Sequence, residues 1–149
     1  MTWKPHVTVA AIIESDDGRF LLVEEHGEEG TVFNQPAGHL EDNESLLEAV
    51  QREVMEETGY RFSPRHLVGT YLWKVSDSGH SYLRFTIAGT VDDQPETSEL
   101  DPDILATHWL HPEQMAELAE RLRSPLVMRS LNDYLSGERH PLSLLAHVQ

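Results

Sequence analysis

The stretch from Gly38 to Tyr60, GHLEDNESLLEAVQREVMEETGY, leaves the fewest choices open. Asp42 and Asn43 are residue types that cap helix N-termini. From Glu44 onward Leu47, Val50 and Val54 recur at helical spacing, and Gly59 stands where a left-handed residue closes a helix. The pattern predicts an amphipathic helix over residues 44–58. On it Glu53, Glu56 and Glu57 occupy positions i, i+3 and i+4, so three carboxylates share one face of one turn.

That arrangement is unfavourable for a bare helix. Like charges at i,i+4 repel by a few tenths of about 1 kcal/mol. Glu56 and Glu57 also fall in the last turn, where the helix dipole disfavours anions. Arg52, four residues after Glu48, offsets only part of this. Solvated Glu-rich faces are ordinary in acidic proteins, but a cluster that breaks local rules is also where function is sought. The remedy for crowded carboxylates is a hard divalent cation with oxygen ligands, magnesium or manganese.

Length and charge narrow the classes. The 149 residues suit one domain, 1–149, with a real core. With 11 Lys and Arg against 26 Asp and Glu, the formal charge is −15. Such a chain has no basic stripe for a nucleic acid polymer and no affinity for anionic membranes. Cysteine is absent, which rules out disulfides and thiol catalysis and fits a cytoplasmic setting. No apolar run approaches a membrane span.

Along the chain, His6–Ile13 and Phe20–Glu25 flank the turn residues Asp16, Asp17 and Gly18, reading as strand, hairpin, strand. Both faces of the first run are apolar, which predicts a sheet covered on both sides. Residues 26–30 read as a mobile acidic loop, and 32–36 as a short extended piece limited by Pro36. His66–Val75 and Tyr82–Val91 predict a hairpin turning at 76–79. Residues 92–103 form an acidic surface loop before a strand at Ile104–Leu110. Pro112 opens a helix with Met115, Leu118 and Leu122 as its apolar stripe. Ser124 and Pro125 start another, with Val127, Leu131, Tyr134 and Leu135 inward and Gly137 at its end. The mix predicts an α+β fold with a mixed sheet between helices.

Gly38, Glu44 and then Arg52, Glu53, Glu56, Glu57 and Gly59 reproduce, in spacing and type, the signature box of the Nudix hydrolases. At about 10% per residue type, a match at these seven positions arises by chance in about one of ten million windows. Tyr60 departs from the aliphatic residue usual there but remains apolar enough to pack. The resemblance continues through residues 4–10, 33–41, 83–85, 122–127 and 134–137, which look like the NudJ subgroup of bacterial Nudix phosphatases.

The resemblance implies an α-β-α sandwich. It implies metal ligands at Glu53, Glu56 and Glu57, joined by the Gly38 carbonyl, with Arg52 and Glu44 as a scaffold pair. The activity it implies is metal-dependent attack of water on phosphorus. The subgroup removes a terminal orthophosphate from nucleoside di- and triphosphates, hydroxymethylpyrimidine pyrophosphate and thiamine pyrophosphate. The general base is Glu53 or a loop acid among Glu99, Asp101 and Asp103. Arg84, Arg123, Gln35 and His39 are candidate substrate contacts, and Asn34, Trp73, Tyr71 and Phe33 are candidates for holding a ring. A monomer or a homodimer is expected.

Overall fold

The computed structural model describes residues 2–76 and 78–149, so Met1, and Asp77 in the expected 76–79 turn, lie outside the described residues. The chain runs β1 (His6–Ile13), β2 (Phe20–Gly27), β3 (Gly30–Asn34), β4 (Ala37–His39), α1 (Leu46–Thr58), β5 (Phe62–Lys74), β6 (Ser81–Val91), β7 (Ile104–Leu110), α2 (Pro112–Glu117) and α3 (Leu126–Leu135). Short 3-10 turns follow α2 and α3, at Ala119–Arg121 and Leu142–Leu144. Two sheets form. One has four strands in the order β4-β1-β6-β5, and the other three in the order β3-β2-β7.

β1 and β6 pair in parallel, whereas β4 and β5 join antiparallel at the two edges, so the larger sheet is mixed. Parallel strands are stable when both faces are covered, and β1 is covered on both. Val9, Ala11 and Ile13 pack with Val50 and Val54 of α1. Ile12 faces the other way, onto Phe20, Leu22, Phe33, Met115, Val127 and Leu131. The mixed sheet thus has α1 on one face and α2 and α3 on the other, and β2 of the smaller sheet sends Leu21 into the first cluster and Phe20 and Leu22 into the second.

Several local expectations are revised. β1 and β2 are joined by a tight turn, but they share only the Glu14–Phe20 bridge and enter different sheets, because β1 is already paired on both sides. The mobile loop expected at 26–30 is a tight hairpin in which His26 pairs with Thr31. Helix α1 begins at Leu46, not at residue 44. Its cap is Ser45, whose Oγ accepts from the Glu48 N–H at 3.1 Å, while the Glu48 carboxylate accepts from the Ser45 N–H at 2.9 Å. Asn43 instead takes a left-handed turn at φ 64°. The stripe after Pro112 is split, since α2 stops at Glu117 and Leu122 is extended against Phe33. Leu135 is half exposed rather than inward.

Met115 is the one fully buried side chain of α2, at the centre of the layer beneath the smaller sheet. Met115→Ala is expected to destabilise the fold by about 2–4 kcal/mol through lost transfer energy and a residual cavity. Urea unfolding measures the change. Helix α1, which carries the carboxylates, packs in the other core cluster, so turnover per folded molecule should fall far less than stability.

Candidate active site

Helix α1 delivers its carboxylates to the end of the mixed sheet where β4 closes. Gly59 ends the helix in the left-handed region at φ 79°, and its N–H donates to the Met55 carbonyl. The chain of 92–103 then folds over this end, with the Glu96 N–H donating to the Gly59 carbonyl at 2.8 Å and the Asp101 N–H donating to the Glu56 carbonyl at 2.8 Å. Tyr60 packs edge-on to Trp109 after the turn, as its apolar character suggested.

Arg52 is the hub of the carboxylate cluster. Its Nε and Nη2 donate to the two oxygens of Glu44 at 3.0 and 2.8 Å, a bidentate pair. Nη2 also donates to the His39 carbonyl at 3.0 Å, tying α1 to β4. Nη1 donates to Glu53 at 2.7 Å and Glu56 at 2.9 Å. Arg52 occupies oxygens of Glu53 and Glu56, and among the described residues no three His, Asp or Glu side chains converge on one point. The guanidinium stands where positive charge is demanded, and its hydrogen bonds to Glu44, Glu56 and Glu53 hold its pKa above the ordinary arginine range.

Glu57 takes a different position. It is 7% exposed, and one carboxylate oxygen accepts from the Ala37 N–H at 2.9 Å. Burial, reinforced by the charges of Glu53, Glu25 and Asp101, pushes its pKa up to about 9 against the pull of that N–H. Glu53 is raised as well, first by burial and then by Glu56 and Asp101, with Arg52 opposing.

The residues fit a divalent cation. Two carboxylates have pKa values lifted first by burial and then by neighbouring negative charge, and Glu56 adjoins them. A Cβ at Gly38 would push the Glu53 carboxylate from its place, so glycine lets that carboxylate lie against the β4 backbone. The donor set is all oxygen, which suits magnesium or manganese.

The other sequence candidates separate. His39 alternates with Gly38 along β4, so its ring lies on the opposite face from the carboxylates, 5.4 Å from the His6 ring. Trp73 stacks on Tyr82 at 5.7 Å. The Tyr71 hydroxyl donates to Asp133 at 2.7 Å, and Phe33 is buried beneath the Arg121 guanidinium. These aromatic side chains are engaged with one another or with the core. Gln35, 2% exposed, is a brace whose Nε2 donates to the Val127 carbonyl at 3.0 Å and to Ser130 at 3.2 Å. Asn34 and Gln35 together accept from Arg84, which is buried. Arg123 lies at the rim, 3.7 Å from Glu25.

Among the loop acids, Asp101 faces Glu53 and Glu57, and Asp103 faces Glu25. Glu99 is exposed, its N–H bonded to the Thr97 hydroxyl. The residue missed from sequence is Glu25. Burial raises its pKa, and its field reaches both Glu57 and Arg84. The signal was there in FLLVEE: adjacent acids on a strand point to opposite faces, and Glu24 turns the other way to meet His108 at 2.9 Å.

Residues 4–130 match the NUDIX domain family. The chain belongs to the Nudix hydrolase family. It is 41% identical to the phosphatase NudJ of Escherichia coli K12 over 143 residues, covering 96% of this chain and 92% of that one. It resembles a solved NUDIX hydrolase from Nitrosomonas europaea at 44% identity and a TM-score of 0.92, over 97% and 98% of the two chains. A UDP-X diphosphatase shares the fold at a TM-score of 0.73 and 20% identity, over 94% of this chain and 67% of that one. As a Nudix hydrolase the chain is a phosphohydrolase acting on small molecules, in a family that generally uses divalent metal ions. Among the described residues no helix is long and apolar enough to cross a membrane.

Proposed function

We propose that this Nudix hydrolase is a magnesium- or manganese-dependent phosphatase, releasing orthophosphate from nucleoside di- and triphosphates and from pyrimidine or thiamine pyrophosphates. The observation that carries the reading is the cluster of Glu53, Glu56 and Glu57 against Gly38, with two of its carboxyl groups raised in pKa. These three side chains and the Gly38 carbonyl would hold the ion. When bound, the ion neutralises phosphate charge and lowers the pKa of water. In the reaction a water oxygen bonds to the terminal phosphorus, and the bond from that phosphorus to the bridging oxygen breaks. The bridging oxygen leaves with the shortened phosphate, and one proton is released. Glu53, beside the reacting centre, takes that proton. Arg52, bound to Glu44, holds the carboxylates in place before the cation enters.

The identity to a phosphatase NudJ over nearly the whole chain favours terminal attack. The absence of cysteine accords with a cytoplasmic setting. The test is phosphate release with magnesium, run with and without inorganic pyrophosphatase. Orthophosphate without the helper enzyme is expected on nucleoside diphosphates, nucleoside triphosphates and thiamine pyrophosphate. Signal only with the helper would make the chain a pyrophosphohydrolase instead. A chelator such as EDTA is expected to lower turnover by about a thousandfold or more, with magnesium restoring it.

A further inference from the structure

Arg84 is a charge without an ion pair. It is 6% exposed, and no carboxylate among the described residues forms a salt bridge with it. Its Nη2 is held by two neutral acceptors, Gln35 Oε1 at 2.7 Å and Asn34 Oδ1 at 3.3 Å. Gln35 is fixed in turn by Val127 and Ser130 of α3, so the guanidinium is aimed rather than loose. A buried cation held only by neutral amides is costly to the fold, and a chain under no other demand would pair it or replace it.

A second observation points to a missing oxygen. Among the described residues, the buried side-chain atoms with no hydrogen-bond partner are Arg84 Nε and Thr86 Oγ1. Two residues apart on β6, they lie side by side on one face of the sheet. Buried donors are almost always satisfied in native proteins, so two adjacent orphans mark a place for an acceptor.

The location says which acceptor. Glu57 and Glu25 are the carboxylates whose fields reach Arg84, Glu57 the more strongly. Glu57 binds the Ala37 N–H just after the segment that holds Arg84, at Asn34 and Gln35. The buried cation and the buried carboxylate of the site thus flank one four-residue segment without touching each other. A tetrahedral oxyanion has oxygens enough to serve both the cation bound at Glu57 and the guanidinium behind it.

We propose that Arg84 takes the terminal phosphate of the substrate, holding the last phosphorus at the carboxylate cluster so that attack falls there and orthophosphate is the product. The inference rests on the phosphatase reading of the same site and adds the residue that decides which phosphorus is cut. An interior position admits a bare phosphoryl group and leaves the bulkier organic part outside, towards Arg123 at the rim.

The test reads binding apart from turnover. Inorganic orthophosphate is titrated calorimetrically into the manganese-loaded wild type, Arg84→Gln and Arg84→Lys. Manganese binding is followed by electron paramagnetic resonance. Orthophosphate affinity is expected to fall at least about tenfold in Arg84→Gln and less in Arg84→Lys, which keeps the charge but not the planar fork. Manganese affinity should hold or tighten, since a repelling charge has gone; a purely structural role would lower it along with thermal stability. If Arg84→Gln does not fold, Arg84→Lys and a label decide: wild type turning over ADP in ¹⁸O-water should place the label in orthophosphate. Undiminished orthophosphate binding in a folded Arg84→Gln, or label in AMP, overturns the proposal. Orthophosphate binding that depends on Arg84 in a protein that hydrolyses none of the substrates would instead sink the phosphatase reading and leave the anion site standing.

Discussion

Glu57→Gln is expected to leave a folded protein whose turnover is reduced by about a thousandfold or more, the scale of losing a group that organises charge at the reacting centre. The amide keeps the side chain's shape, and its oxygen can still accept from the Ala37 N–H. What it loses is the negative charge that the cation needs. Stability should move the other way. A carboxyl whose folded-state pKa is raised binds protons more tightly in the native state than in the unfolded chain. Its contribution is therefore intact below the unfolded value of about 4.3 and is lost as pH climbs towards the folded value. For the metal-free wild type the loss spans the window from there up to about 9. By pH 8 it amounts to about 5 kcal/mol at most. Thermal melts of metal-free wild type should fall across this range, and those of Glu57→Gln should fall less, keeping only the slope that Glu53 and Glu25 contribute. Magnesium should flatten the wild-type curve too, because the ion supplies the missing positive charge. A wild-type curve without slope would mean that Glu57 is solvated and its site differently built.

How much of this was legible beforehand depends on the range of the signal. Helix α1 and its carboxylates were readable because helical spacing, the Gly59 stop and the positions of Glu53, Glu56 and Glu57 are all local. Its first residue was misplaced because Asp42, Asn43 and Ser45 are all good caps, and what selects Ser45 is the reciprocal bond with Glu48. That choice also frees Glu44 to receive Arg52. Strand candidates fared differently. A strand tells which residues share a face but not what the face meets, so His39 and Glu25 were exchanged in importance. The Gly38 backbone turns His39 away, and Glu25 is brought in by the smaller sheet, whose separation from β1 no hairpin pattern announces. Arg84 was visible as a charged residue in an apolar strand. Its lack of an ion-pair partner is a tertiary fact, set by Gln35 and α3.

Gly59 carries a double constraint that sequence showed only half of, and it leads to a large expected loss of both stability and activity. As a helix stop it needs the left-handed region, where a side chain costs about 1 kcal/mol. The structure adds that a Cβ there would run into the Thr97 carbonyl of the loop laid over the helix end. That oxygen is backbone and cannot swing aside as a long side chain could. Gly59→Ala must therefore lift the loop, breaking the bond from the Glu96 N–H to the Gly59 carbonyl and straining the one from the Asp101 N–H to Glu56. We expect it to destabilise the protein by about 2–4 kcal/mol in urea unfolding, more than the backbone conformation alone accounts for. Activity should fall as well in molecules that remain folded, because Asp101 comes to Glu53 and Glu57 on that loop. Deleting the charge separates the two effects. Asp101→Asn leaves the Asp101 N–H and the glycine in place, so it should cost little stability while still lowering the pKa of Glu53 in the metal-free protein, read by carboxyl carbon NMR. If Gly59→Ala lost only about 1 kcal/mol and kept full activity, the loop would be an ornament on the helix end rather than a wall of the site.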